Sequence, residues 1–361
     1  MANNLLINLS VLMQRPTGIS TYARNILPYL KSLSPTLLTA QPFEEYFCYP
    51  IPAYMTPEQG SKGHLKRLIW TQFQLAQIYQ QQQAQLLFSP LPEAPLFSGC
   101  RYAVMVHDLI PLRFGQARSP MTYYCRYYLP QVLNQAQHIL CNSLATARDI
   151  SQFLDIPAKK LTPIPLGYDK ANFRYLNLPE SNYFLYVGRS APYKNIQRLI
   201  SAFSAIAKPH DYQLWLTGTH DPRYTPTLTA QVQELGLQEQ VKFLDYVSYS
   251  ELPKLMNQAL ALVFPSLWEG FGLPVLEAMA CGTPIITSNL ASLPEVAGEA
   301  ALYINPYNSA EITSAMQQVG KDEKMRSHLR QASLTQASKF SWETTGNATH
   351  SVLSASLSAE C

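Results

Sequence analysis

Short apolar strands alternate with amphipathic helices along the whole chain, and the alternation starts a second time near its middle. The stretch from Ile19 to Leu33, for example, places its apolar side chains on one face of a helix. Strands and helices that alternate in this way build a parallel sheet covered by helices. The predicted strands are Leu5 to Leu9, Leu37 to Thr39, Leu86 to Phe88, Tyr102 to Val106, His138 to Cys141 and Leu161 to Pro163 in the first half, and Phe184 to Val187, Gln213 to Thr217, Val241 to Leu244, Leu260 to Phe264, Ile285 to Thr287 and Ala301 to Ile304 in the second.

The segment 163–181 contains prolines and a glycine and separates the two series of strands, so it predicts a linker. A chain of 361 residues has room for two domains of about 150 to 200 residues each. The sequence therefore predicts an α/β protein with two Rossmann-like, doubly wound domains, residues 1–170 and 171–340. Because ligands of such sheets bind at the carboxyl ends of the strands, we expect the functional site in a cleft that both domains face. The tail, 341–361, reads as a final helix with Ser341 as its N-cap.

Composition and charge exclude several classes of protein. The formal net charge of +3 is far from the strongly basic balance of a nucleic-acid-binding protein. The six cysteines form no C-x-x-C pair and show no metal-ligand spacing, which is typical of reduced thiols. The first residues do not have the pattern of a signal peptide, and no apolar run approaches the roughly 18 residues of a membrane-spanning helix. We therefore expect a cytoplasmic protein.

Two glutamates, Glu269 and Glu277, flank a glycine turn between a buried strand and a helix. The turn contains Phe271, Gly272 and Leu273. A helix N-terminus directs backbone N–H groups and partial positive charge at its surroundings, which suits a phosphate. Glu277, about one turn into the helix, can reach a ribose diol, and Glu269 can reach another polar group, so the pattern fits a sugar nucleotide. The alternative is that both glutamates are solvated or capping groups and that the glycines only build the turn.

A second polar segment follows the strand that ends at Val187. Gly188 permits a sharp turn, and Arg189 and Lys194 then emerge at the carboxyl end of the strand. Two cations fixed there can neutralise a diphosphate, the guanidinium as a fork and the ammonium as a point charge. The alternative is a solvated loop with ordinary surface charges. We expect both side chains to be partly exposed in the empty protein.

Together, these segments resemble the retaining family 4 glycosyltransferases, whose mark is two glutamates separated by seven residues in an EGFGLPxLE setting. The match continues through 278–286 and 293–298. The resemblance implies a GT-B fold in which the last helix, 341–361, crosses back to the N-terminal domain. It implies transfer of a sugar from a nucleotide diphosphate to a hydroxyl with retained anomeric configuration. It also implies that Arg189 and Lys194 hold the leaving diphosphate, that Glu269 belongs to the catalytic residues, and that no metal is required. The chain contains no D-x-D run, which agrees.

The first half offers further candidates. An apolar strand ends at His107-Asp108, and the family has a His-Asp pair whose histidine lies against the donor sugar at the anomeric centre, so His107 is predicted to be catalytic. Gly18 opens the first helix and could let backbone approach the diphosphate or the acceptor, although turn geometry alone also explains it. Ser143 either contacts the acceptor or caps a helix, and we favour the cap. The proline-rich segment 41–60 lines the acceptor groove or is simply a loop.

The resemblance is greatest to bacterial polysaccharide mannosyltransferases, which makes GDP-mannose the first candidate donor and UDP-glucose or another hexose donor the alternative. The base is expected at the strand end 244–247, with Val247 as a contact. The acceptor is expected to be a saccharide or a lipid-linked glycan. The basic and apolar segment 62–70 falls where family members engage lipid-linked acceptors or the inner face of the membrane, or it is only a core-facing helix with a solvated basic side.

A protein of another class, a non-catalytic partner that binds a nucleotide sugar, is disfavoured because both cations and both glutamates are present. A glucan phosphorylase or synthase would need a longer chain.

Overall fold

The chain forms two parallel β-sheets, each in its own compact unit. The computed structural model describes residues 5–13, 18–56, 59–115, 119–218, 221–244 and 247–358. One unit contains Met1–Gly167 together with Trp342–Cys361, and the other contains Tyr168–Ser341. The chain therefore passes from the first unit to the second after Gly167, close to the domain boundary expected after residue 170.

The first unit is built on a seven-stranded sheet in which every neighbouring pair is parallel, in the order β3-β2-β1-β4-β5-β6-β7. Its strands are β1 (Leu5–Asn8), β2 (Thr36–Thr39), β3 (Phe47–Pro50), β4 (Leu86–Ser89), β5 (Tyr102–Val106), β6 (His138–Cys141) and β7 (Leu161–Pro163). Its helices before the linker are α1 (Gly18–Leu30), α2 (Gly60–Gln81), α3 (Ile110–Phe114), α4 (Pro120–Tyr123), α5 (Leu129–Gln135) and α6 (Leu144–Leu154), with a π-helical turn, Tyr124–Tyr128, between α4 and α5.

The central strands of this sheet are buried along their whole length. Every residue of β1, β2, β4 and β5 is buried, which agrees with the nearly continuous apolar runs of strands covered on both faces. β3 is absent from the sequence prediction, which treats 41–60 as a loop. It is an edge strand, partly exposed, and it ends in a proline, so it lacks the apolar run that marks its neighbours.

The second unit is built on a six-stranded parallel sheet in the order β10-β9-β8-β11-β12-β13. Its strands are β8 (Tyr183–Val187), β9 (Gln213–Thr217), β10 (Val241–Leu244), β11 (Ala261–Phe264), β12 (Ile285–Ser288) and β13 (Ala301–Ile304). Its helices are α7 (Ile196–His210), α8 (Thr225–Glu234), α9 (Leu252–Gln258), α10 (Leu273–Ala280), α11 (Leu293–Ala297), α12 (Ser309–Lys321) and α13 (Glu323–Ala337). The chain winds outward from β8 in one direction and from β11 in the other, so the topological switch point lies between these two strands.

The last helix, α14 (Trp342–Ser358), returns to the first unit and packs on α1. A Cβ atom at Gly346 would lie 2.2 Å from the ring of Tyr29, so only glycine permits this close approach of the two helices. The Thr345 hydroxyl donates a hydrogen bond to the carbonyl oxygen of Pro165 at 2.7 Å, and Arg101 donates one to the carbonyl oxygen of Ser356 at 2.8 Å. Within the ranges that the structure describes, no helix has the length and apolar character needed to cross a bilayer.

Candidate active site

Two loops of the second unit lie side by side because the strands that they follow are neighbours. β8 pairs with β11 through Phe184 and Ala261, and both strands run in the same direction. The loop after β8 therefore begins at the same edge of the sheet as the loop after β11. The first loop carries Gly188, Arg189 and Lys194, and the second carries the 269–277 run. The topological switch point thus brings together the two sequence segments that predict a diphosphate site.

Lys194 and Glu269 form an ion pair between these loops. The Lys194 Nζ atom donates to Oε1 of Glu269 at 2.7 Å, and the two side chains are only 11% and 9% exposed. The ammonium also lies 5.0 Å from the ring centroid of Phe264. The expectation that Lys194 is partly exposed is therefore wrong: the carboxylate on the neighbouring loop and the aromatic ring hold it in the protein. Sequence inspection missed this pairing because 75 residues separate the partners.

Arg189 is exposed, as expected, and contacts the tyrosine that precedes Lys194. Its Nη2 atom lies 3.3 Å from the hydroxyl oxygen of Tyr193, which is buried. Tyr193 and Lys194 belong to a 3-10 turn, Pro192–Lys194, that ends in a left-handed residue, Asn195. The Asn195 side-chain amide donates to the carbonyl oxygens of Pro265 at 3.1 Å and Pro306 at 2.7 Å. This turn is consequently anchored to the loop after β11.

Glycines shape both loops. Gly188 has a φ of 151°, and a Cβ atom there would lie 2.9 Å from the Tyr186 hydroxyl. Gly272 has a φ of 98°, and a Cβ atom there would lie 2.7 Å from Leu293. Both positions therefore favour glycine by their positive φ, and a Cβ atom at either would also crowd a neighbouring side chain. Gly272 is the N-cap of α10, which begins at Leu273 and directs its first N–H groups toward this loop.

Ser292 holds the glycine turn through its side-chain hydroxyl. The sequence motifs did not identify this residue. Its hydroxyl lies 3.0 Å from the carbonyl oxygen of Glu269 and 2.9 Å from that of Phe271. Phe271 itself is buried, and its ring meets that of Phe340 edge to face at 6.1 Å. Phe271 thus supports the turn by packing. Ser292 directly precedes the Leu293-Pro294-Glu295 run, and this position is the only signal for it in the sequence.

Glu277 lies in α10, one turn after the glycine, in a partly buried position. Burial, with a further contribution from the charge of Asp169, raises the pKa of its carboxyl to about 8. Asp169 in turn accepts a hydrogen bond from the Tyr249 hydroxyl at 3.2 Å. The empty site therefore holds Glu277 mainly in its protonated form at neutral pH. A ligand that donates hydrogen bonds would stabilise the carboxylate instead.

A cavity lies at the carboxyl ends of β8, β9 and β10. It is lined by residues of these strand ends and by α7 and α8, namely Tyr186, Gly188, Ser190, Ile196, Leu216, Thr217, Gly218, Thr225, Leu228, Phe243 and Leu244. The cavity therefore connects the Gly188 turn with the strand end at which a base is expected. Val247 is partly buried. Asp245 and Tyr246, which complete that predicted strand end, lie outside the described residues.

His107 belongs to the first unit, where it follows β5. Its Nε2 atom lies 2.9 Å from the carbonyl oxygen of Pro90, so Nε2 must carry the proton, and Nδ1 has the free lone pair. Burial lowers the pKa of His107 to about 4, so the ring is neutral at physiological pH. The ring packs edge-on against Tyr22 at 5.3 Å, and Asn142 donates to the His107 carbonyl oxygen at 2.8 Å. The histidine is thus held in one tautomer and one orientation.

Two other candidate residues of the first half, Gly18 and Ser143, are described by the structure. Gly18 is exposed and begins α1, and among the described residues no atom lies within 4 Å of a Cβ atom placed there. The residues before it, 14–17, lie outside the described ranges. The Ser143 hydroxyl accepts from the Thr146 N–H at 3.0 Å, so Ser143 is the N-cap of α6.

Arg67, in the basic segment 62–70, is buried. It donates to Glu93 at 2.7 and 2.8 Å and to the Met55 carbonyl oxygen at 3.0 Å. It is a structural cation of the core rather than part of a basic surface.

Two family models together span most of the chain. Residues 16–172 match the model described as Glycosyltransferase Family 4, and residues 169–336 match the model described as Glycosyl transferases group 1. Both models describe glycosyltransferases, and the chain belongs to this family. The two matches confirm the family resemblance that rests on the two sequence motifs.

Curated relatives extend over much of the sequence. The O-antigen chain mannosyltransferase RfbU of Salmonella typhimurium is 28% identical over 327 residues, which are 87% of this chain and 90% of that protein. The O-antigen chain mannosyltransferase B of Escherichia coli is 32% identical over 234 residues, which are 61% of each chain.

Solved structures share the architecture. Sucrose-phosphate synthase from Thermosynechococcus elongatus superposes with a TM-score of 0.78 at 20% identity and covers 99% of both chains. HepE of Anabaena in complex with UDP and glucose gives a TM-score of 0.76 at 20% identity over 98% of this chain and 99% of that chain. These similarities, with the two parallel sheets, confirm the predicted GT-B fold.

Proposed function

We propose that this glycosyltransferase moves a hexose from a nucleotide-diphosphate sugar to a hydroxyl group of a glycan, with retained anomeric configuration and without a metal ion. The observation that carries the proposal is that two loops are neighbours at the switch point of the second sheet: one carries Arg189 and Lys194, and the other carries Glu269 and leads into the helix of Glu277. This combination offers positive charge to a diphosphate and carboxyl groups to sugar or ribose hydroxyls.

Arg189 and Lys194 are proposed to stabilise the leaving diphosphate. An ammonium group has three N–H donors, and Glu269 accepts one of those of Lys194, so the others can serve phosphate oxygens. Fixed positive charge at the departing group lowers the barrier for breaking the glycosidic bond. Because these two cations can supply that charge, we propose that transfer needs no divalent ion.

His107 is proposed to accept a hydrogen bond from a donor-sugar hydroxyl. Its proton is committed to the Pro90 carbonyl oxygen, and its pKa of about 4 leaves the ring uncharged in the physiological range. The unprotonated Nδ1 atom is therefore an acceptor and a poor general acid. The role of this histidine at the anomeric centre comes from the family resemblance.

GDP-mannose is the proposed donor. The support is that the relatives cited above are O-antigen chain mannosyltransferases. UDP-glucose is the alternative, because HepE, with the same fold, was solved with UDP and glucose. The cavity beside Gly188 and Leu244 is the proposed place of the base, with Val247 as a further contact. The proposed acceptor is a saccharide or a lipid-linked glycan, which the enzyme reaches from the inner face of the membrane.

A panel of nucleotide sugars tests the proposal. The melting temperature is measured with GDP-mannose, UDP-glucose and their nucleotides, in buffer that contains EDTA. A donor at about 100 times its dissociation constant should add roughly 2.7 kcal/mol to the free energy of unfolding. GDP-mannose should give the largest shift, and NMR of the transfer product should show an α-mannoside.

A larger shift with UDP-glucose would reassign the donor. Absence of any shift or of transfer in EDTA, with recovery on addition of manganese, would refute the metal-independent site. Binding without transfer to any glycan would favour a non-catalytic partner protein.

A further inference from the structure

We propose that Tyr193 is a positioning residue, which holds Arg189 and Lys194 in the arrangement that a donor diphosphate requires. This role rests on the proposed function of the two cations. Tyr193 lies in the segment after β8 but is not among the predicted site residues, and the assignment follows from the contacts of its hydroxyl, its ring and its backbone.

The side chain of Tyr193 contacts both cations. Its hydroxyl oxygen lies 3.3 Å from Nη2 of Arg189, and its ring centroid lies 5.4 Å from Nζ of Lys194. The hydroxyl oxygen can accept from the guanidinium, and the ring face attracts the ammonium by a cation–π interaction. One side chain therefore links an exposed arginine with a buried lysine.

The backbone of Tyr193 is itself fixed to the neighbouring loop. Its carbonyl oxygen accepts a hydrogen bond from the Leu267 N–H at 2.7 Å. Asn195, two residues later, anchors the same turn to the Pro265 carbonyl oxygen, as described above. Tyr193 is also only 8% exposed, so its ring cannot swing freely into solvent. The residue is a rigid support rather than a flexible surface side chain.

Arg189 needs such a support because it is exposed. An arginine side chain at the surface loses rotamer entropy when a ligand immobilises it. A hydrogen bond that already restrains the guanidinium reduces this loss, and preorganised charge is also more effective in the transition state. Tyr193 should thus contribute to donor binding and to turnover through Arg189.

Tyr193→Phe separates this role from packing, because it keeps the ring beside Lys194 and removes only the hydroxyl. Loss of a hydrogen bond to a charged group should reduce kcat/KM for the donor by roughly 10-fold or more, with an unchanged melting temperature. If the hydroxyl acts through Arg189, the same change should have no further effect in an Arg189→Ala background. The affinity for the free nucleoside diphosphate, measured by calorimetry, should follow the same pattern.

Tyr183→Phe is the matched control. It removes a hydroxyl that donates to the Leu255 carbonyl oxygen at 2.7 Å, and Tyr183 begins β8 at the end opposite the site. This variant should keep the donor kinetics of the wild type.

Three results would overturn the positioning role: wild-type kcat/KM in Tyr193→Phe, an equal loss in the Arg189→Ala background, or a loss explained by a lowered melting temperature. If Arg189→Ala is impaired while Tyr193→Phe is not, the proposed function survives without this role. If the wild type binds no sugar nucleotide, the proposed function fails and the role fails with it.

Discussion

Lys194 shows how a partner on another loop changes the expected effect of a substitution. A solvated lysine could be removed at little cost in stability. In the structure, however, Lys194 is buried against Glu269, and removing it would leave a carboxylate without its cation in a site that is only 9% exposed. Lys194 should therefore stabilise the empty protein in addition to its proposed chemical role.

Lys194→Ala should lower the free energy of unfolding by about 3 kcal/mol, the lower end of the range for breaking a buried ion pair. Adding Glu269→Gln should recover much of this loss, because the uncompensated charge is gone, while transfer activity stays low. Urea denaturation of both variants measures the effect. Lys254→Ala is the control: its pair with Glu251 is exposed, at 56% and 55%, so it should change stability by less than about 1 kcal/mol. Equal stability of Lys194→Ala and the wild type would contradict the buried pair.

The residue types of the candidate site could be predicted from the sequence, whereas their partners could not. Gly188, Arg189, Glu269 and Glu277 lie on the elements that the strand–turn–helix patterns predict. The contacts of Lys194 and the raised pKa of Glu277 depend on which loops become neighbours, and strand order is not a local property of the sequence. The site roles themselves stay predictions until they are measured.

The helix α2 carries the basic and apolar segment 62–70, and its inner and outer sides differ in character. Its buried cation, Arg67, is neutralised by Glu93, so the inner side contributes no basic surface. The outer side carries Leu65, Ile69 and Phe73, four residues apart, which are 59%, 54% and 66% exposed. Lys62 and Lys66 are exposed on the same helix, which contains no acidic residue. An apolar stripe with flanking lysines suits the surface of an anionic bilayer.

Replacing Leu65, Ile69 and Phe73 by glutamine should reduce cosedimentation with phosphatidylglycerol vesicles several-fold and leave the melting temperature unchanged, because these side chains are already exposed. Wild-type protein should bind neutral phosphatidylcholine vesicles weakly. Leu235→Gln, which replaces a 39% exposed leucine of the second unit, should have no effect. Binding that is absent in the wild type, or retained by the triple variant, would show that this face has another role.

Strands were the most predictable elements. Tyr102–Val106, His138–Cys141, Leu161–Pro163, Gln213–Thr217 and Val241–Leu244 have the predicted bounds. Tyr102–Val106, His138–Cys141 and Gln213–Thr217 lie inside their sheets, where apolar character marks a strand, whereas Leu161–Pro163 and Val241–Leu244 are edge strands. Apolar patterning does not predict the edge strand β3 or the π-helical turn at 124–128. Their conformations depend on packing against neighbours rather than on a local pattern.

At the scale of the whole molecule, the repeated alternation of strands and helices is the reason that the architecture could be predicted. Each parallel sheet needs helices on both faces, and the second start of the pattern at Tyr183 requires a second sheet. The return of α14 to the first unit was expected from the family resemblance and has no signal in the residues themselves. Gly346 permits the close contact of α14 with Tyr29 of α1. The sequence alone does not indicate this role, because it depends on how the two helices pack.

The second unit is proposed to bind a nucleotide-diphosphate sugar with its ribose at Glu277. In the empty protein, burial of its carboxyl group and the nearby charge of Asp169 raise the pKa of Glu277 to about 8, so the carboxyl is mainly protonated at pH 7. Ribose hydroxyls donate hydrogen bonds to a carboxylate and favour its ionised form, which lowers this pKa in the complex. Donor binding at pH 7 should therefore release a proton from Glu277 to the buffer.

Calorimetric titration of GDP-mannose at pH 7, in two buffers with different ionisation enthalpies, measures this proton directly. The wild type should release about one proton per donor bound. Glu277→Gln should release none and should bind roughly 10-fold or more weakly, as expected for loss of a charge-assisted hydrogen bond. Equal affinity and equal proton release in the two proteins would contradict the placement of the ribose at Glu277 and the donor site built on it.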